Sequence, residues 1–223
     1  MTGFSTDAPE GIRRAVMIGA VAVPAASLLA LTAPSFGPLS LHMTVHIACM
    51  NVVAPLVALT LSRVEAAALR VWSTPLLLWL ATVLQLAILW AAHSPYVHHA
   101  QQAAPVAAIA LHAVLFCVAL VFWLSILGSS AHPWQAMLAL LVSGKFACLL
   151  GALLTFAPRP LFTTHAGHHG DAAALLADQH LAGLLMIAAC PLSYVLTAVV
   201  LAIHTVNGLD TAVHPAPAAT AER

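Results

Sequence analysis

Charge is scarce in this sequence. Seven basic and seven acidic residues make up 6% of a 223-residue chain whose hydrophobic share is 62%. A water-soluble domain of that length needs far more ionic and polar surface to cover its core. The soluble globular classes are therefore excluded, and the chain reads as a polytopic membrane protein with the lipid bilayer as its solvent. Net charge is zero, which removes nucleic-acid binding and strong steering toward acidic partners. The four cysteines, Cys49, Cys117, Cys148 and Cys190, are far apart and without CxxC spacing, so neither a disulfide framework nor a zinc knuckle is encoded. A Gly-rich phosphate cradle, a serine-hydrolase elbow, an HExxH motif and carboxylate pairs within the apolar runs are all missing. The chain offers ligands rather than a nucleophile with its base, and the expected role is non-enzymatic.

What it has in abundance is apolar runs of spanning length. The fold class expected is all-α: a six-helix transmembrane bundle over residues 15–206, preceded by a polar lead, 1–14, and followed by an Ala- and Pro-rich flexible tail, 207–223. The spans are Ala15–Ala33, Ser40–Leu61, Trp72–Ala92, Ala103–Gly128, Pro133–Ala157 and His180–Ile203, each long enough to cross a hydrocarbon core of about 30 Å. Ala15–Ala33 is read as a retained helix, although Ala-Leu-Thr-Ala before Pro34 has the form of a signal-peptide cleavage site. Pro75 and Pro133 fall in first turns, whereas Pro55 and Pro191 lie inside spans and are expected to kink them.

Arginine placement sets the expected orientation. Arg13, Arg14, Arg63, Arg70 and Arg223 fall on one side and only Arg159 on the other, which puts both termini in the cytoplasm of a bacterial inner membrane. The thirteen histidines, nearly double the count of Lys and Arg together, then sort to the outer face. His42, His46, His93, His98, His99, His165, His168, His169 and His180 fall on outer loops or helix ends, and His112 in the outer half of its span; only His132, His204 and His214 lie inside.

The stretch Leu41–Leu59 concentrates the chemistry. His42 and His46 stand four residues apart and share one helical face, with Met43 and Met50 about 80–100° round and Cys49 one turn below. Imidazole, thioether and thiol together suit copper. His42, His46, His93 and His112 come from three segments that a compact bundle could bring together at the outer boundary, with Met43, Met50 or Cys49 as softer transfer ligands. The plain alternative is interhelical hydrogen bonding, for His112 with a neighbour such as Gln85. The loop His165–Asp171 could capture ions or be a solvated linker. Asp178 reads as a capping residue at the start of the last span, and Gln179, Gly183, Met186 and Cys190 form one stripe below it. Lys145 is the one formal charge in mid-span, and either snorkels, is neutral, or meets an anionic ligand or a partner subunit.

Three motifs in order resemble a known family. His42-Met43-x-x-His46 with Ala54-Pro55-Leu56, then Trp90-Ala-Ala-His93-Ser-Pro95-Tyr96 with His112 and Phe122-Trp123, then Asp178-Gln179-x-x-Ala182-Gly183-x-x-Met186 are similar to the helices of the multi-pass CtaG-type cytochrome c oxidase assembly factors. The match covers about residues 41–195 and departs from the family pattern at Ile187, at Leu111 and in the tryptophan near His93. The resemblance implies a role in maturing haem–copper oxidase, at the copper-insertion step, with an oxidase subunit as client and a periplasmic copper donor as partner; His42, His46, His93 and His112 are the matching positions. Two other readings stand beside it. One is a haem-binding electron-transfer protein using a pair such as His46 and His112 as axial ligands, and the other is a copper permease.

Overall fold

The computed structural model describes residues 37–64, 74–97, 100, 104–129, 132–162 and 172–213. Helices are α1, Pro38–Ala48; α2, Ala54–Val64; α3, Pro75–Ala92; α4, Pro105–Gly128; α5, Pro133–Phe156; and α6, Ala172–Val213. A π-helical turn, Cys49–Val53, joins α1 to α2 as one rod. The described residues form five helices long and apolar enough to cross a membrane, as an all-helical polytopic bundle requires. The expected first span, Ala15–Ala33, lies outside the described residues, as do the loop His165–Asp171 and the end of the tail.

Four helices start on proline: Pro38, Pro75, Pro105 and Pro133 each occupy a first-turn position. Proline suits that position because its missing N–H would have had no partner there, and its fixed φ already matches the helix. Thr74 caps α3 by accepting from the Leu77 amide at 3.4 Å. Inside a span proline does the opposite, and the expected kink at Pro55 takes a definite form. Pro55 cannot donate to the carbonyl four residues back and its ring crowds that carbonyl. The chain widens just before it, with the Ala54 amide bonding to Cys49 O, five residues away.

The next four expected spans, from Ser40–Leu61 to Pro133–Ala157, agree with the observed helices to within three residues at each end. The last does not: it was expected to start at His180, yet α6 starts at Ala172 and runs to Val213. The added turns, Ala172–Ala177, are mostly alanine and leucine, strong helix formers. This corrects the reading of Asp178, which sits almost two turns inside α6 rather than at its N-terminus.

Small residues set the closest packing, between α5 and α6. A Cβ on Gly183 would collide with the Thr155 hydroxyl and would lie 2.6 Å from Gly151 O, so the backbones meet where only glycine fits. The stripe Gln179, Gly183, Met186, Cys190 faces inward as expected, and Tyr194 and Ala198 continue it. Trp123 on α4 donates its indole N–H to Met50 O in the π turn at 3.0 Å and stacks on Tyr194. Gln85 donates to the Tyr194 hydroxyl at 2.8 Å; that is where its amide goes, rather than to His112. These contacts bind α3, α4, α6 and the π turn around one buried core containing Met50, Phe122 and Met186.

Candidate metal centre

Asp178 holds the helix that carries the site. Its Oδ2 accepts from the Leu39 amide at 2.9 Å, and its Oδ1 from the Ser40 amide at 3.1 Å and the Ser40 hydroxyl at 2.5 Å. It is therefore an N-cap supplied in trans, from α6 to α1, in the place where the first amides of a helix otherwise lack acceptors. Gly37 leaves room for it, because a Cβ there would overlap the carboxylate. The next two residues secure the neighbouring segment: Gln179 accepts from the Leu161 amide at 2.7 Å and donates to Leu154 O at 3.2 Å. His180 reaches Ala157 O at 3.4 Å. Asp178-Gln179-His180 is thus a clasp that ties α1, the end of α5 and the segment after it to α6.

Two residues beyond Ser40, α1 presents His42, Met43 and, one turn on, His46. His112 comes from two turns into α4, and His93 from the C-terminal cap of α3. The ligand atoms of His42, His46 and His112 all lie within 4.8 Å of one another. The His42 and His112 rings are edge to face with centroids 4.7 Å apart; His46 stands 6.1 Å from His42 and 6.2 Å from His112. On its other side His46 faces His93, centroid to centroid 5.4 Å. The four histidines singled out in the sequence therefore meet at one end of the bundle, with His46 at their centre. His180 lies at the same end, engaged by Ala157 O; His132 caps α5 at the opposite end and His204 is exposed. His98, His99, His165, His168 and His169 lie outside the described residues.

His46 is 3% exposed, and neither of its ring nitrogens has a hydrogen-bond partner among the described residues. A buried polar atom left unbonded costs about 1–3 kcal/mol, and such groups in native proteins call for an explanation. A cation fits: neutral imidazoles are the commonest metal ligands, and borderline ions bind nitrogen at about 2.0–2.1 Å. At that bond length tetrahedral ligand atoms stand about 3.4 Å apart, so a set spread over at most 4.8 Å closes by no more than about 1.4 Å on loading. His42 and His112 are half-buried whereas His46 is buried, so the site has an open mouth and a closed floor.

His93 differs in its surroundings. It is buried; its Nδ1 is 2.6 Å from Leu89 O, a carbonyl left without a helical partner at the end of α3, and its Nε2 is 3.2 Å from the Met43 sulfur. Cys49 is half-buried and Met50 buried, one to two turns deeper. The sequence showed Met43 beside the histidine stripe, but its meeting with His93 is a contact between helices that spacing does not reveal. The trans cap by Asp178 is equally non-local; its one signal in the sequence is a carboxylate beside a bundle end where α1 starts without a Ser, Thr, Asp or Asn cap of its own.

The family model for the cytochrome c oxidase caa3 assembly factor matches residues 14–207. No curated protein and no solved structure matches the chain. The match embraces all three motifs on which the resemblance to the CtaG-type assembly factors was drawn, and bears that resemblance out.

Proposed function

The chain belongs to the cytochrome c oxidase caa3 assembly factor family, and we propose that it serves oxidase assembly without catalysis, as a carrier that receives copper at its histidine end and yields it to a maturing oxidase subunit. The observation that carries this reading is His46, buried at the centre of three other imidazoles, with neither ring nitrogen hydrogen-bonded among the described residues. Copper is cargo here, not a resident cofactor. His42, His46 and His112 hold the ion, and the half-buried pair at the mouth, His42 and His112, is exchanged first against ligands of the donor or client. A site of three neutral ligands with an open approach releases an ion more readily than a closed four-ligand site.

The arginine distribution supports a location in the bacterial inner membrane with the histidine end outward, in the periplasm, where a copper donor would meet it. The ring geometry favours an ion over haem. Axial haem ligands stand on opposite faces of a macrocycle and need a slot between them, whereas here three ligand atoms converge on one point. Little supports a permease, because the ligands cluster at one end of the bundle.

The test is complementation of a strain lacking this gene with the wild type or a His42→Ala/His46→Ala variant, at matched membrane abundance. The reading predicts oxidase activity and oxidase copper restored by the wild type and lost together in the variant, with the oxidase polypeptides still made. Equal rescue by both would refute it.

A further inference from the structure

The contact between His93 and Met43 pairs two groups that both offer electrons. Leu89 O can only accept a hydrogen bond, so the hydrogen at its 2.6 Å contact with His93 belongs to Nδ1. In the neutral ring Nε2 then carries a lone pair. The atom facing it at 3.2 Å is a thioether sulfur, which has no hydrogen to give. Met43 is 2% exposed and His93 8%, so water does not separate them. Two lone pairs brought together in a buried place make a ligand pair for a Lewis acid. An ion about 2.0 Å from nitrogen and about 2.3 Å from sulfur spans a 3.2 Å gap at an angle of about 95°, within the range of an open coordination shell. The third ligand is at hand, since the His46 ring lies 5.4 Å from that of His93 and its nitrogens have no hydrogen-bond partner among the described residues.

We propose that Met43, His93 and His46 form a soft half of the site that binds monovalent copper, alongside the imidazole half formed by His42, His46 and His112. This rests on the copper reading above and deepens it by fixing the cargo's oxidation state. Thioether sulfur selects Cu(I), while an all-imidazole set serves Cu(II) and zinc as well. His46 belongs to both halves: its ring stands between His42 and His112 on one side and His93 on the other. The ion enters at the half-buried mouth and settles against Met43, deeper and out of reach of water. A protein built this way discriminates against zinc by its floor rather than its mouth.

The test uses the full chain purified in detergent, titrated anaerobically with Cu(I) against a chromogenic Cu(I) chelator and separately with Zn(II), for the wild type and Met43→Leu. Leucine keeps nearly the same volume and removes only the sulfur, and unchanged Zn(II) binding shows that the imidazole half is intact. The expected result is a Cu(I) affinity lower by about tenfold or more in Met43→Leu, with Zn(II) affinity within about twofold of the wild type. X-ray absorption of the Cu(I)-loaded wild type shows a sulfur neighbour at about 2.3 Å that the variant lacks. Equal Cu(I) affinities, or a nitrogen-only shell in the wild type, overturn the soft half and leave the imidazole site standing, provided Zn(II) binds. A wild type that binds neither ion overturns both.

Discussion

Replacing His46 with leucine should make the metal-free protein more stable, not less. Leucine fills a similar volume, and the substitution removes two polar atoms that are buried without partners among the described residues. Each such atom costs about 1–3 kcal/mol; with some relief from local rearrangement in both states, a net gain of about 2 kcal/mol is expected. For a chain of this size that corresponds to a rise in Tm of roughly 4–8 °C. Copper reverses the order. A ligand at about a hundred times its Kd stabilises the wild type by about 2.7 kcal/mol, and the leucine variant, without the shared central ligand, gains little. The assay is thermal unfolding of detergent-purified protein followed by the fluorescence of its five tryptophans, first with a chelator and then with Cu(I). Sites that trade stability for function behave in this way. A metal-free His46→Leu protein that melts below the wild type would show the His46 nitrogens to be satisfied, and would remove the main support for a metal site.

Other substitutions probe the parts that position the site. Asp178→Ala leaves the Leu39 and Ser40 amides without their acceptor and is expected to cost about 2 kcal/mol. It should also weaken copper binding measured by chelator competition, with Asp178→Asn recovering part of both. Gly183→Ala forces a Cβ against the Thr155 hydroxyl and Gly151 O and is expected to lower stability by about 1–3 kcal/mol in the same melting assay. Lys145 is exposed on α5, thirteenth of its 24 residues, where a charged side chain facing lipid costs about 2.5–3.5 kcal/mol. Lys145→Leu is therefore expected to stabilise the protein in lipid nanodiscs; an unchanged melting point would mean that the charge is already neutralised.

Much of this was legible in the sequence because a bilayer imposes it. Spans of about 20 apolar residues bounded by proline, such as Pro133–Phe156, can hardly be placed elsewhere. The i, i+4 spacing of His42 and His46 fixes a common face whatever surrounds it. The inward stripe from Gln179 to Cys190 follows from the same periodicity. Hydropathy sees only the bilayer, however, and so it began the last helix at His180 when the alanine-rich turns from Ala172 continue it beyond the apolar run. Sequence position alone makes Asp178 a cap of its own helix; the structure makes it a cap of α1, 138 residues away at Ser40. The convergence of His112 with His42, and of His93 with Met43, depends on how three helices, α1, α3 and α4, pack. Spacing within one helix carries no information on that. The π turn before Pro55 was half visible, since proline demands a break without dictating whether the helix bends or widens.

The most direct test of the copper-carrier reading is the metal and haem content of the detergent-purified full-length protein after loading with Cu(I), beside the His42→Ala/His46→Ala variant. About one copper per chain in the wild type, bound mainly by imidazole nitrogen at about 2.0 Å and absent from the double variant, is the expected result. A haem absorption band in the wild type, or copper retained equally by the double variant, would contradict it.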